Sequence, residues 1–260
     1  MTDFTYEQAI ESSTKYFNGD SLAAKVFVDK YSLKDNDGKI YEDNPEKMHR
    51  RLAKEFARIE KNKFKNPLTE DEIFGYFDRF KYIIPQGSPM STIGNNYQIQ
   101  SLGNCFVIPN VVDSYGGICY ADQQLAQLMK RRAGVGTCLD NIRPKGLVTR
   151  NAAKTTDGIG VFMERFSNTC REVAQGGRRG ALMLLVSVHY PEIETFINIK
   201  KDLKKVTGAN ISVKLTDEFM NAVKNDTDYE QRWPINSENP QIVKKVNAGK
   251  IWNQIIDAAW

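Results

Sequence analysis

Histidine is scarce in this chain: His49 and His189 are the only two in 260 residues. Cysteine is scarce as well, and Cys105, Cys119, Cys138 and Cys170 form no CxxC pair. That combination argues against a structural zinc site, and no metal site is expected. There is no HExxH motif and no Ser-His-Asp arrangement. Long apolar runs are absent too. The most apolar segment, Ala181–Val188, is far short of the ~20 residues that span a bilayer. Asp3, Glu7 and Glu11 interrupt the start, so it does not read as a signal peptide. Charge of one sign is lacking: 36 Lys+Arg against 32 Asp+Glu leave +4. That excess is too small for a protein built to coat nucleic acid. No internal repeat or low-complexity tract is present. The expectation is a cytoplasmic protein with reduced cysteines and no membrane partner.

What remains is a 41% hydrophobic chain, enough for a sizeable core. The first third reads as helical. Asn44-Pro45 caps and opens a helix with Met48, Leu52, Phe56 and Ile59 at helical spacing. Thr69 and Glu72 form a capping box ahead of Ile73, Phe74, Phe77 and Phe80. Ser32–Asp43 reads as a loop. After Tyr82, glycine and proline punctuate shorter segments. Cys105–Ile108 reads as a buried strand, Gln123–Arg132 as a helix and Gly158–Val173 as an amphipathic helix. Ala181–Val188 reads as an apolar strand, Pro191–Ile199 as a short helix and Ala209–Leu215 as a half-buried strand. Thr216 caps a further helix, and Gly249–Trp260 reads as an amphipathic helix. Strands alternating with helices give an α/β class. The final apolar pattern lacks a cap, which suggests a covering partner or a longer polypeptide.

Several segments are suited to ligands. Gly176-Gly177-Arg178-Arg179-Gly180 joins a helix to a strand, and its guanidiniums suit phosphate or a base edge. A solvated surface turn fits it equally well. Arg131–Gly136 fits a tight helix-to-strand connection or a backbone cradle for oxygens. Arg143-Pro144-Lys145-Gly146, with Arg150 and Lys154, fits a phosphate clamp or a solvated loop. Lys200, Lys201, Lys204 and Lys205 read as a solvated edge. Cys170 reads as core, and Cys105 by itself fits an inert core thiol. Both histidines read as structural.

Taken in order, eight strings resemble the catalytic large subunit of ribonucleotide reductases. They are Pro85–Met90, Ser101–Val107, Asp113-Ser114, Met129–Gly136, Asn141–Gly146, Phe162–Arg165, Arg171–Leu184 and Val206–Met220. The wording is nearest to the adenosylcobalamin-dependent class II enzymes, and class I subunits share the framework. The resemblance implies a helical N-terminal domain, residues 1–83, then the first half of a ten-stranded α/β barrel, residues 84–260. It implies a ribonucleoside-diphosphate reductase, serving deoxyribonucleotide biosynthesis and so DNA replication. In that chemistry a thiyl radical takes the 3′-hydrogen, the 2′-hydroxyl leaves as water, and two thiols supply two electrons by closing a disulfide. Cys105 matches the first of those thiols. Ser88, Asn104 and Gly134 match substrate contacts. Asp113, Ser114, Arg143 and Arg150 match the allosteric site for a dNTP or ATP effector. Gln175, Gly176, Gly177, Arg178 and Arg179 match the specificity loop that links effector to substrate.

The family's radical cysteine and second redox thiol match nothing in this sequence. The resemblance therefore implies inactivity without a complementary C-terminal reductase chain. Implied partners are nucleotide substrate and effector, a homodimer mate across helices 123–132 and 158–173, and a thioredoxin-type reductant. The radical source implied is adenosylcobalamin, or otherwise a metal-containing small subunit. Three departures bear on effector preference: Gly103 stands where class II relatives favour serine, Thr137-Cys138 replaces His-Asp, and Gly160-Val161 replaces Val-Pro. Two other readings are a catalytically dead nucleotide-binding or dimerising remnant, and a nucleic-acid-binding protein.

Overall fold

The computed structural model describes residues 3–173 and 180–259. They form two compact units, residues 3–104 and residues 105–259.

The first unit is helical. It comprises α1 (Tyr6–Tyr16), α2 (Ser21–Lys30), α3 (Pro45–Lys63), α4 (Glu70–Phe77) and α5 (Gly87–Thr92). The expected caps are in place. The Asn44 side chain accepts from the backbone N–H of Glu46 and Lys47, with Pro45 as the first helical residue. Thr69 and Glu72 close a reciprocal capping box. The buried stripe of α3 runs through Met48, His49, Leu52, Ala53 and Ala57. Phe56, expected inside, is 37% exposed, and the small alanines instead let α3 approach its neighbours. This unit extends past residue 83, the expected limit, to Asn104. Arg51 on α3 binds the carbonyls of Met90 and Ile93, which ties the α5 segment to the helices.

The second unit is α/β. Its elements are β1 (Cys105–Val107), α6 (Tyr115–Met129), β2 (Gly134–Cys138), α7 (Ile159–Glu172), β3 (Leu182–Ser187), α8 (Ile193–Asn198), β4 (Asn210–Lys214), α9 (Asp217–Lys224), β5 (Asp228–Trp233), β6 (Ile242–Asn247) and α10 (Ala248–Ala259). Strands β1 to β4 lie in sequence order in one parallel sheet, as helical crossovers require, and β5 pairs antiparallel with β6. The core joins Leu125 and Met129 of α6, Met163 and Phe166 of α7, and Leu182, Leu184 and Val186 of β3.

Three further expectations need correction. Cys105–Val107 is a strand, but all three residues are exposed, because among the described residues β1 pairs on one side only, with β2. The helix expected at 123–132 starts at Tyr115, where Ser114 caps it, and stops at Met129. Gly117 lets that first turn lie against Val112, whose carbonyl oxygen would be 2.6 Å from an added Cβ. Lys200 is not a solvated edge residue: its ammonium donates to the carbonyls of Val206 (2.8 Å) and Ala209 (2.7 Å). The antiparallel β5–β6 pair was not foreseen. Among the described residues, no helix is long and apolar enough to cross a membrane.

Candidate functional site

Two segments leave the C-terminal ends of adjacent strands and meet. Asp113 follows β1, and Arg143 follows β2. The Arg143 backbone N–H donates to one Asp113 carboxylate oxygen at 3.1 Å, and its Nε donates to the other at 2.8 Å. Arg143 also donates to the Val148 carbonyl at 2.6 Å, so it organises its own loop. Ser114 is the N-cap of α6 and accepts from the Gly117 N–H at 3.0 Å.

Asp113, Ser114, Arg143 and Arg150 all line one cleft of ≈ 830 Å³. Tyr115 and Phe162 add an aromatic wall, with ring centroids 6.1 Å apart in an edge arrangement. Val148, Thr149, Thr156 and Asp157 complete the loop side, and Trp233 and Gln241 come from β5 and the segment before β6. Cations, a hydroxyl, carboxylates and an aromatic pair in one cleft match what a nucleotide presents: phosphate, sugar and base. Trp233 and Gln241 were missed by sequence reasoning, because the hairpin carrying them was missed.

At the N-terminal ends of β1 and β2 two further candidates are paired. Cys105 is exposed, and it stands directly opposite Gly134 in the β1–β2 register. In the first unit, the Asn104 side chain accepts from the Ser88 N–H at 2.7 Å. Ser88 is fully buried, at the start of α5. Gln175, Gly176, Gly177, Arg178 and Arg179 lie outside the described residues. Gly180, just after them, sits where a Cβ would be 2.9 Å from the Cys170 carbonyl oxygen.

Two of the other thiols and both histidines are engaged in the fold. Cys138 and Cys170 are buried, and burial pushes both thiols above the usual range. His49 is buried between Phe77 and Phe80, and His189 packs on Tyr229 at 4.9 Å. Among the described residues, no cluster of three or more His, Cys, Asp or Glu could hold a metal ion.

A family model described as "Ribonucleotide reductase, barrel domain" matches residues 103–260, and one described as "Ribonucleotide reductase, all-alpha domain" matches residues 17–91. The chain belongs to the ribonucleotide reductase family. It has the family's helical domain followed by part of its barrel. It is 30% identical to a vitamin B12-dependent ribonucleoside-diphosphate reductase of Thermoplasma acidophilum, covering 92% of this chain and 38% of that protein. The protein of the same name from Mycobacterium tuberculosis strain H37Rv is 27% identical, over 92% of this chain and 33% of its own length. A ribonucleoside-diphosphate reductase alpha subunit of Bacillus subtilis is 27% identical over 59% of this chain. The chain thus spans little more than a third of the vitamin B12-dependent reductases it matches.

Proposed function

We propose that this chain is the nucleotide-handling part of a ribonucleoside-diphosphate reductase. The observation that carries the reading is the cleft. Four residues singled out by motif, from segments 30 residues apart in sequence, line one cavity that suits a nucleotide. In this reading a dNTP or ATP effector lies there, with Arg143 and Arg150 toward its phosphates. In this reading residues 1–83 belong to the all-alpha domain, and the barrel part follows residues 84–104, which pack with the helical unit.

The resemblance gives substrate a second set of residues. Ser88, Asn104 and Gly134 hold it, and Cys105 presents its sulfur to the sugar. Reduction removes the 2′-hydroxyl as water, while two thiols give up two electrons and two protons and become a disulfide. Cys105 is one of the two. Cys119 on α6, Cys138 inside β2 and Cys170 under Gly180 match neither the second thiol nor the radical-bearing cysteine. Those groups come from a complementary C-terminal reductase segment or chain, and a thioredoxin-type protein restores the dithiol.

The relatives' names support adenosylcobalamin as radical source, over a metal-containing small subunit. When bound, that cofactor supplies the radical that generates the thiyl. Both histidines here are buried (0% and 7% exposed), so this chain offers the cobalt no accessible imidazole. Helices α6 and α7 lie side by side, joined by Arg165 and Thr169 to Asp122. Exposed Tyr115, Tyr120 and Val161 on these helices support a homodimer through them. The compartment is cytoplasmic.

The test combines calorimetry and reconstitution. Saturable binding of dTTP, dATP or ATP to the chain is expected, as is deoxynucleotide formation on adding a complementary chain and adenosylcobalamin. A chain that binds no mononucleotide does not have this function. Activity only with a metal-loaded small subunit would reject the cobalamin assignment.

A further inference from the structure

Residues 145–159 leave and rejoin the fold at one carboxylate. Glu192, at the start of α8, accepts from the backbone N–H of Lys145 at 3.0 Å and from that of Ile159 at 3.3 Å. Both bonds fall on the same oxygen. The Tyr190 hydroxyl donates to the Ile142 carbonyl at 2.7 Å and lies 3.4 Å from that Glu192 oxygen. Gly158 passes so close that an added Cβ would collide with the carboxylate, and its φ is +81°. Ile159 begins α7, so the carboxylate also faces the positive end of that helix.

Within the loop the chain folds back on itself: Gly146 N–H donates to Thr156 O at 3.0 Å, and Thr149 N–H to Lys154 O at 2.7 Å. Between the two anchor points lie Val148, Arg150, Thr156 and Asp157, which form one wall of the 830 Å³ cleft. Glu192 is not among the cleft-lining residues. It therefore acts on the cleft only through the loop.

We infer that Glu192 is a positioning residue for the nucleotide cleft, its carboxylate stapling both ends of the 145–159 loop and so fixing the wall that a bound nucleotide meets. The inference rests on the nucleotide reading of the cleft. Hydrogen bonds to an ionised acceptor are the strong kind, and here one acceptor closes a loop of fifteen residues. Burial pushes the Glu192 carboxyl above the usual carboxylate range. The Lys145 and Ile159 N–H groups, the Tyr190 hydroxyl and the Lys145 ammonium oppose that shift. Protonation weakens the acceptor, so the staple loosens as pH falls through that raised value.

The experiment uses the full chain. dTTP affinity is measured by calorimetry from pH 5 to 8 for the unaltered protein and Glu192→Gln, with amide hydrogen exchange followed over residues 143–160. Glu192→Gln is expected to weaken dTTP roughly tenfold at pH 7.5. It is also expected to raise exchange at Lys145 and Ile159, and to remove the acid-side loss of affinity. The nucleotide's own phosphate titration is common to both proteins, so the ratio of affinities isolates Glu192. Gly158→Ala, which displaces the carboxylate but keeps its charge, should weaken dTTP similarly and covers the case that Glu192→Gln does not fold. Unchanged affinity and exchange in both variants would overturn the inference. No dTTP binding to the unaltered protein, with exchange still rising in the variants, would reject the nucleotide reading and leave only a stapled loop.

Discussion

Arg143 grips Asp113 through two different groups, its backbone N–H at 3.1 Å and its Nε at 2.8 Å. One residue thus sets both the course of its own loop and the direction of a carboxylate thirty positions earlier. With Nε on Asp113 and one Nη on Val148, the guanidinium is fixed in the cleft before any ligand arrives. A fixed fork binds phosphate without losing further side-chain freedom.

The first prediction follows from that fixity. Arg143→Lys keeps the charge but loses the fork and its hold on Asp113. It should weaken dNTP binding roughly tenfold to a hundredfold, the range for losing hydrogen bonds to a charged group. Arg143→Ala should do at least as much. Calorimetry with dTTP checks both, and a lysine variant that binds as tightly as the unaltered chain would remove the guanidinium from the contact.

The thiols give the second prediction. Cys105 and Cys119 are exposed, while Cys138 and Cys170 are buried with thiols pushed upward. Thiolate is the reactive form, so the native protein should titrate two fast thiols of its four with a disulfide reagent, and all four after unfolding. Cys105→Ser should lower the fast count to one. In the reconstituted enzyme the same variant should abolish multiple turnover with a dithiol reductant. Retained multiple turnover would take Cys105 out of its redox role.

How much of the fold and cleft is legible in the sequence depends on the range of the interaction. The caps at Asn44, Thr69 and Thr216 were readable because cap and helix lie within three residues. The cleft was readable only as motif fragments, since nothing local brings Asp113 to Arg143; the parallel sheet does that. Glu192 was invisible as a staple, because its partners are 47 and 33 residues away and it read as part of a short helix. The β5 strand hid for a different reason. Tyr229, Gln231 and Trp233 do alternate inward, but a buried glutamine breaks the apolar pattern by which a strand is recognised. Cys105–Val107 looked buried because it is apolar, yet as an edge strand it is exposed.

His49 yields a prediction about pH and stability. Burial against Phe77 and Phe80 pushes its imidazole down to about 4 from 6.5, with Asp78 opposing weakly. Above pH 6.5 both folded and unfolded chains carry it neutral. Between 6.5 and 4 the unfolded chain takes a proton that the folded one refuses, so stability falls as pH drops through that window. The loss is on the order of 3 kcal/mol when complete. His49→Leu should remove this component. Urea midpoints at pH 7 and pH 4.5 for both proteins test it; equal pH slopes would show that His49 is not the group responsible.

The last prediction concerns Arg51 and Glu42, a pair whose side chains are only 10% and 4% exposed. Nε meets one carboxylate oxygen at 2.7 Å and an Nη meets the other at 3.1 Å. Glu42 also accepts from the Leu33 N–H, and Arg51 donates to the carbonyls of Met90 and Ile93. The pair therefore anchors the chain that carries Ser88. Removing the arginine strands a buried carboxylate, so Arg51→Met should cost about 3–5 kcal/mol. Replacing both partners removes the uncompensated charge, so Arg51→Met with Glu42→Leu should be less destabilised than Arg51→Met alone. Denaturant unfolding of the two singles and the double measures the coupling. Strict additivity would mean that the two groups do not depend on each other. If coupling is found, the active assembly should show the functional side as well. Without its anchor the α5 segment holds Ser88 less firmly, so a correctly folded double variant should raise KM for the ribonucleotide more than it lowers kcat.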